Sequence, residues 1–293
     1  MKQTNGIIVK GIGGFYYVKT ADGTIECKAR GKFRKERVLP CVGDHVTLLY
    51  QDDKGSIDEI LPRTNQLVRP PVANVDRLVM VMAVTAPAPD FTMIDKLLVT
   101  AESKEIEVAI CINKTDLDDG EKTTQFRRLY ENAGYQVFEV SAKNREGIDQ
   151  VCDFLKDKIT AFAGNSGVGK SSILKLICRR ELETGSISQK TERGRHTTRH
   201  VELLELPFGG FVLDTPGFSS VELEGVRADE LRLLFPEMSK VEGECRFRGC
   251  RHVAEPGCKV IQRVQEGIIA ESRYQNYKNL ITELDKIKEW QLK

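Results

Sequence analysis

The 293 residues suffice for two or three domains and at least one sizeable core. A net charge of +1, with 40% hydrophobic and 30% charged residues, is the balance of an ordinary soluble globular protein and singles out no class of partner. The longest clean apolar run, LVMVMAV at 78–84, falls far short of the roughly 20 residues of a membrane span. MKQTNGIIVKG at the N-terminus lacks the long apolar core of a signal peptide, so a cytoplasmic protein with no membrane partner is expected.

Residues 6–61 read as short strands parted by turn signals: GIIVKG, GFYYVKT, an Asp-Gly turn in TADGT, then VTLLY and SIDEI. A small β-barrel is expected over 1–68, an oligonucleotide-binding (OB) fold being the kind that fits. Its RGKFRKERV run crowds Arg30, Lys32, Arg34, Lys35 and Arg37 around Phe33. Such cations bind phosphates and fix position, and a Phe among them offers a face for stacking a base. A solvated strand edge is the plainer reading of the same run. RPPVANV at 69–75 reads as an exit linker.

From residue 75 to about 220 the pattern alternates. Apolar runs (RLVMVMAV, EVAICI, YQVFEVS, ITAFAG, GFVLDT) are separated by helical stretches (MIDKLLVTAESK, TQFRRLYENAG, IDQVCDFLKDK, KSSILKLICRR). This predicts a parallel sheet flanked by helices, with the domain taken as 69–225. Residues 226–293 carry a cysteine-rich loop and then helix-type sequence, with an amphipathic terminal helix expected to pack on that loop.

GNSGVGKS supplies Gly164, Asn165, Ser166, Gly167, Val168, Gly169, Lys170 and Ser171, followed by Ser172. It lies between an apolar run and a helical one, as a phosphate-binding loop requires. Glycines let successive backbone N–H groups point at phosphate oxygens, and the helix N-terminus adds partial positive charge. Lys170 is expected on the β/γ-phosphates and the Ser171 hydroxyl on Mg²⁺.

The base is read from NKTD (Asn113, Lys114, Thr115, Asp116). A carboxylate at Asp116 accepts from guanine N1–H and the N2 amino group, donors that adenine does not pair there, so GTP and GDP are the expected ligands. Asn113 is expected to tie this loop to the phosphate loop, and the Lys114 stem to cover the ring. Ser141, Ala142 and Lys143 close the next apolar run and form the expected partner loop. Downstream, DTPG gives Asp214, holding Mg²⁺ through a water, and Gly217 on the γ-phosphate, while GRHTTRH offers Thr197 and Thr198, of which Thr198 is preferred, as the residue closing on Mg²⁺. Phe218 stands where Ras-like proteins place the water-orienting Gln, so His196 becomes the candidate for that task.

The motif order is base, base, phosphate, switch, switch. This is the ordinary GTPase order rotated, with IDQVCDFLKDKIT joining the old ends. The chain therefore resembles the circularly permuted small-ribosomal-subunit assembly GTPases, the RsgA family (also called YjeQ, YloQ or EngC). RGKFRK, VGD, NKTD, GNSGVGKSS, GRHTT, DTPG and the cysteine cluster carry the resemblance over essentially the whole length. It implies GTP hydrolysis stimulated by the small (30S) subunit during late maturation and contact with its 16S rRNA; a monomer is expected. The competing readings are an RNA-binding assembly factor that uses GTP as a structural ligand, and a GTPase acting on another RNA.

CRFRGCRHVAEPGC places Cys245, Cys250, His252 and Cys258 within fourteen residues. In a cytosolic setting this predicts one structural, tetrahedral Cys₃His zinc site. Arg246, Arg248 and Arg251 make the same knob basic. The other cysteines (Cys27, Cys41, Cys111, Cys152, Cys178) read as small buried apolar residues.

Overall fold

The N-terminal strands close on themselves. β1 (Lys2–Ile12), β2 (Phe15–Thr20), β3 (Gly23–Ala29), a one-turn helix α1 (Lys32–Lys35), β4 (His45–Gln51) and β5 (Lys54–Ile60) follow one another in the chain. β1 pairs antiparallel with both β2 and β4, β2 with β3, and β4 with β5. A parallel pairing of β3 with β5 completes a five-stranded barrel. That closure is the OB topology expected from the sequence. β1 serves two neighbours because a register shift between Ile8 and Lys10 bends it. Two residues before that shift, Gly6 lies so close to β2 that a Cβ would sit 2.4 Å from the Lys19 carbonyl oxygen. Inward residues Ile8, Val18, Ile25, Cys27, Val46, Leu48 and Ile57 fill the barrel.

The computed structural model describes residues 2–35, 38–68, 70–179, 201–214, 223 and 225–286. Two expectations about the N-terminal region are corrected. Phe33 is no stacking platform: the basic run coils into α1, which turns this ring into the barrel core at 4% exposure while Lys32 and Lys35 stay outside. Residues 70–75, the described part of the expected linker, are not loose either. β6 (Gln66–Leu67) and β7 (Val72–Ala73) form a small hairpin. The buried Asn74 amide donates to the Gly43 carbonyl at 2.9 Å and accepts from Thr64 N at 2.9 Å.

The alternating region forms β8 (Arg77–Ala83), α2 (Phe91–Glu102), β9 (Glu107–Asn113), α3 (Glu121–Ala133), β10 (Gln136–Val140), α4 (Ile148–Leu155), β11 (Ile159–Ala163) and α5 (Lys170–Arg179). It continues with β12 (Glu202–Glu205) and β13 (Phe211–Asp214). The chain gathers into two compact units. One holds Met1–Arg77, Cys152–Phe162 and Leu174–Phe218. In it β11 runs parallel to β13, β13 antiparallel to β12, and β12 meets β1 at Lys10↔Glu202. Lys10 and Lys19 of the barrel pair with Glu202 and Glu205 at 2.8 and 2.6 Å.

The second unit holds Leu78–Val151, Ala163–Ile173 and Ser219–Lys293. β9 runs parallel to β10 with β8 on its other side. α2 starts where Asp90 accepts from Met93 N at 3.0 Å, and Ile94, Leu97, Leu98 and Ala101 give it a buried face at helical spacing.

The tail adds α6 (Pro236–Ser239), α7 (Lys259–Gln265) and α8 (Glu271–Leu284). Tyr274, Tyr277, Leu280, Ile281 and Leu284 of α8 pack with Phe235, Met238, Val260 and Val99. Each such side chain contributes about 2 kcal/mol of burial. The buried Arg273 of α8 pairs with Asp95 of α2 and grips Glu237 of α6 at 2.5 and 3.0 Å, while Asn276 donates to Asp95 at 2.7 Å. No helix among the described residues is long and apolar enough to cross a membrane.

Candidate nucleotide site and metal cluster

Three loops at strand ends meet through one amide. Asn113, the last residue of β9, is 1% exposed. Its Nδ2 donates to the Val168 carbonyl at 2.8 Å, and its Oδ1 accepts from Ala142 N at 3.1 Å. The expected tie to the glycine loop is present, together with a second tie to the Ser141–Lys143 loop.

The chain then reverses sharply. Lys114 takes a left-handed conformation at φ 66° and donates from Nζ to the Ala86 carbonyl at 2.5 Å. Thr115–Leu117 make a single tight turn that carries Asp116. Ser141 Oγ donates to Asp116 Oδ1 at 2.7 Å, and Lys143 Nζ lies 3.7 Å from Oδ2. The Ser141 hydrogen bond, helped by the nearby Lys143 charge, holds the Asp116 carboxyl below its ordinary pKa. Asp116 is therefore an anion at neutral pH, an acceptor for paired N–H donors. Ser141 itself is fully buried, and its backbone exchanges hydrogen bonds with Glu146 at 3.1 Å.

The GNSGVGKS segment forms the strand–loop–helix expected, from β11 through Gly164–Gly169 into α5. Gly164 has φ 134°, and a Cβ there would lie 2.1 Å from the Val81 carbonyl oxygen, so only glycine fits. Lys170 folds back over the loop and donates to the carbonyls of Gly164 and Asn165 at 2.6 and 2.8 Å. Partial burial lowers its pKa from the ordinary lysine value. Ser166, Gly167, Ser171 and Ser172 are exposed. The loop thus offers backbone N–H groups, a helix N-terminus, an ammonium and hydroxyls on one accessible surface, the donor set that an oligophosphate takes.

The candidate residues His196, Thr198, Gly217 and Arg37, with Phe218, lie outside the described residues, as do the side chains of Arg34 and Asp214.

In the tail, the ligand atoms of Cys245, Cys250, His252 and Cys258 all lie within 4.8 Å of one another. His252 Nδ1 is 3.6 Å from Cys245 Sγ and 3.3 Å from Cys258 Sγ, and the two sulfurs are 3.9 Å apart. A tetrahedral zinc with Zn–S near 2.3 Å separates its ligands by roughly 3.7 Å, whereas a disulfide needs about 2.05 Å. The donor set and spacing therefore fit a closed four-coordinate metal.

The knuckle is braced by groups that the sequence did not single out. Glu255 accepts from the N–H groups of Arg251, Val253 and Ala254 at 2.7, 2.8 and 3.0 Å. Tyr274 and Tyr277 of α8 donate to the carbonyls of His252 and Arg251 at 2.9 and 2.6 Å. The terminal helix does pack on the knuckle, as expected. A lone glutamate in a loop and two tyrosines on a helix carry no pattern that would have marked them.

An RsgA GTPase family model matches residues 60–224, and an RsgA N-terminal domain model matches residues 5–57. The chain belongs to the RsgA GTPase family. Small ribosomal subunit biogenesis GTPase RsgA of Caldanaerobacter subterraneus subsp. tengcongensis is 49% identical over 286 residues, 97% of each chain. That of Ruminiclostridium cellulolyticum is 50% identical, covering 97% of this chain and 95% of the relative. Among solved structures, YjeQ from Thermotoga maritima is 37% identical with a TM-score of 0.84 over 98% of this chain and all of that one. YloQ, described as a circularly permuted GTPase, has the same identity and TM-score and covers 98% and 96%. As an RsgA-family protein, this chain combines the OB barrel, a circularly permuted GTPase and a C-terminal Cys₃His cluster. The rotated order of NKTD, SAK and GNSGVGKS is thus a property of the fold.

Proposed function

We propose that this GTPase works in small-ribosomal-subunit biogenesis. It binds GTP with Mg²⁺, docks on the subunit and its 16S rRNA as a cytoplasmic monomer, and leaves after hydrolysis to GDP and phosphate. The observation that carries the reading is the buried Asn113 amide, which joins the loop bearing Asp116, the Ser141–Lys143 loop and the glycine loop into one preformed surface.

On that surface Asp116 accepts from guanine, Lys114 and Thr115 flank the ring, and the Ala142–Lys143 backbone faces the base edge. Gly164–Ser172 hold the phosphates, with Asp214 and Gly217 at the γ-phosphate. Ser171 and Thr198 would hold Mg²⁺, which neutralises phosphate charge when bound. Water attacks the γ-phosphorus as its bond to the bridging oxygen breaks, and Lys170 neutralises charge that develops on the phosphates. With Phe218 unable to orient a water, His196 is assigned that task. Slow turnover alone, raised by the subunit, follows from this arrangement.

The Cys245–Cys250–His252–Cys258 cluster holds a structural zinc. Phosphates of rRNA meet Arg30, Lys32, Arg34, Lys35 and Arg37, Phe33 being withdrawn to the barrel core. The three functional segments are 1–68, 69–225 and 226–293.

Co-sedimentation of the full chain with purified small subunits, in a non-hydrolysable GTP analogue and in GDP, tests the reading. Stronger association in the analogue is expected. Equal, weak association in both nucleotides would reject a nucleotide-controlled ribosomal role.

A further inference from the structure

The corrected position of Phe33 leaves the RNA face without its aromatic, and another part of the molecule presents one. Phe247 is 46% exposed and is the sole exposed aromatic among the described residues. It sits mid-loop between two metal-cluster residues, Cys245 and Cys250, so both ends of its short loop are pinned. Cys245 Sγ also accepts from Lys259 N at 3.3 Å, and Arg246 N donates to the Gly257 carbonyl at 3.3 Å, which fixes the loop's base against the start of α7. An apolar ring on so short and anchored a loop is held in water rather than sheltered by it, which costs free energy that a partner would recover.

The charges around it are sorted. Arg246 and Arg248 flank the ring and are exposed, and neither makes an ion pair among the described residues. The Arg246 guanidinium lies 5.5 Å from the Phe247 ring centre. Nearby carboxylates are mostly occupied elsewhere: Glu242 pairs with Arg232 at 3.1 Å, Glu255 with three backbone N–H groups, and Asp285 with Arg251 at 2.8 Å. Glu244, exposed on the chain leading in, is the one nearby carboxylate with no such partner among the described residues. The third arginine of the knob, Arg251, is therefore engaged by the terminal helix, and the two that remain free are those beside the ring.

We propose that Arg246–Phe247–Arg248 forms a nucleotide-stacking platform for single-stranded RNA, with a base on the Phe247 face and the flanking phosphates on the two guanidinium groups. A base has a π-face whatever its identity, so the platform reads strandedness rather than sequence. In a duplex the base faces are stacked away, which leaves only the phosphates for the arginines. The platform rests on the proposed RNA role and names the element that would carry part of it.

The test uses the full-length protein and two probes, a ten-nucleotide oligouridylate and an RNA duplex, with zinc content per chain measured for every variant. Phe247→Ala should weaken oligouridylate binding about 5- to 150-fold and leave duplex binding within twofold, while Phe247→Trp should restore it. Arg246→Gln should weaken both probes and reduce the salt slope by about 0.7 on the single strand. Equal oligouridylate binding by wild type and Phe247→Ala, with zinc retained in both, would overturn the platform. So would a Phe247→Ala variant that loses small-subunit association but keeps oligouridylate binding, because the ring would then face protein. Failure of the wild type to associate with small subunits, with oligouridylate binding sensitive to Phe247, would instead sink the ribosomal reading and leave the platform standing.

Discussion

A Cβ added to Gly169 would lie 2.2 Å from Asn113 Nδ2, so the glycine loop and the NKTD loop meet with no room for a methyl group. Gly169 also has φ 102°, a conformation costly for any other residue. Gly169→Ala should therefore push Asn113 off the Val168 carbonyl and lower GDP affinity at least tenfold, read by titration calorimetry. Asn113→Ala should cost about 1–3 kcal/mol of stability for each backbone group left unpaired, with the same loss of nucleotide affinity. A variant with wild-type affinity would show that the two loops need no tie.

Asp116→Asn should exchange the base preference, because an amide cannot accept from two guanine donors as a carboxylate does. GDP binding should weaken about 10- to 100-fold and xanthosine diphosphate binding should strengthen. The Asp116 pKa is depressed, so its charged form persists above the ordinary carboxylate value and is lost only as pH falls through the lowered one. Guanine affinity should accordingly show no Asp116 titration between about pH 5 and 8.

Arg273, 3% exposed, neutralises two buried carboxylates, and removing it leaves both uncompensated. Burial already pushes Asp95 above its ordinary pKa, a cost that Arg273 opposes. Arg273→Leu should destabilise the chain by about 3–5 kcal/mol in denaturant unfolding. Lysine at this position should rescue little, since one ammonium cannot reproduce the two-pronged grip on Glu237. A change under about 1 kcal/mol would mean that the network is dispensable.

The cysteine cluster should carry one zinc per chain and no visible absorption, the latter separating zinc from an iron–sulfur centre. Cys250→Ser, or a strong chelator, should release the metal and expose residues 245–258 to protease, measured by elemental analysis and limited digestion. Full protection without metal would make the cluster a buried thiol set and nothing more.

The site was legible where chemistry is local. NKTD, SAK and GNSGVGKS each need particular residues at fixed offsets on a strand end, and their rotated order betrayed the permutation. What escaped was tertiary. Phe33 was hidden in a run whose charges dominate the reading, although one helical turn is enough to send a ring inward. Residues 69–75 read as linker because two prolines mask the buried Asn74 amide. β12, in VELLEL, is too short to show a strand period. Arg273 sits 178 residues from Asp95, and on α8 it reads as part of a polar face. No periodicity announces that two helices so distant will share a buried charge.

The most direct measurement is phosphate release from GTP by the full chain, alone and with purified small ribosomal subunits. Slow turnover alone, a rise of at least tenfold with subunits, and loss of both in Lys170→Ala are the expected results. An unchanged rate on adding subunits, with GTP still bound, would contradict the account.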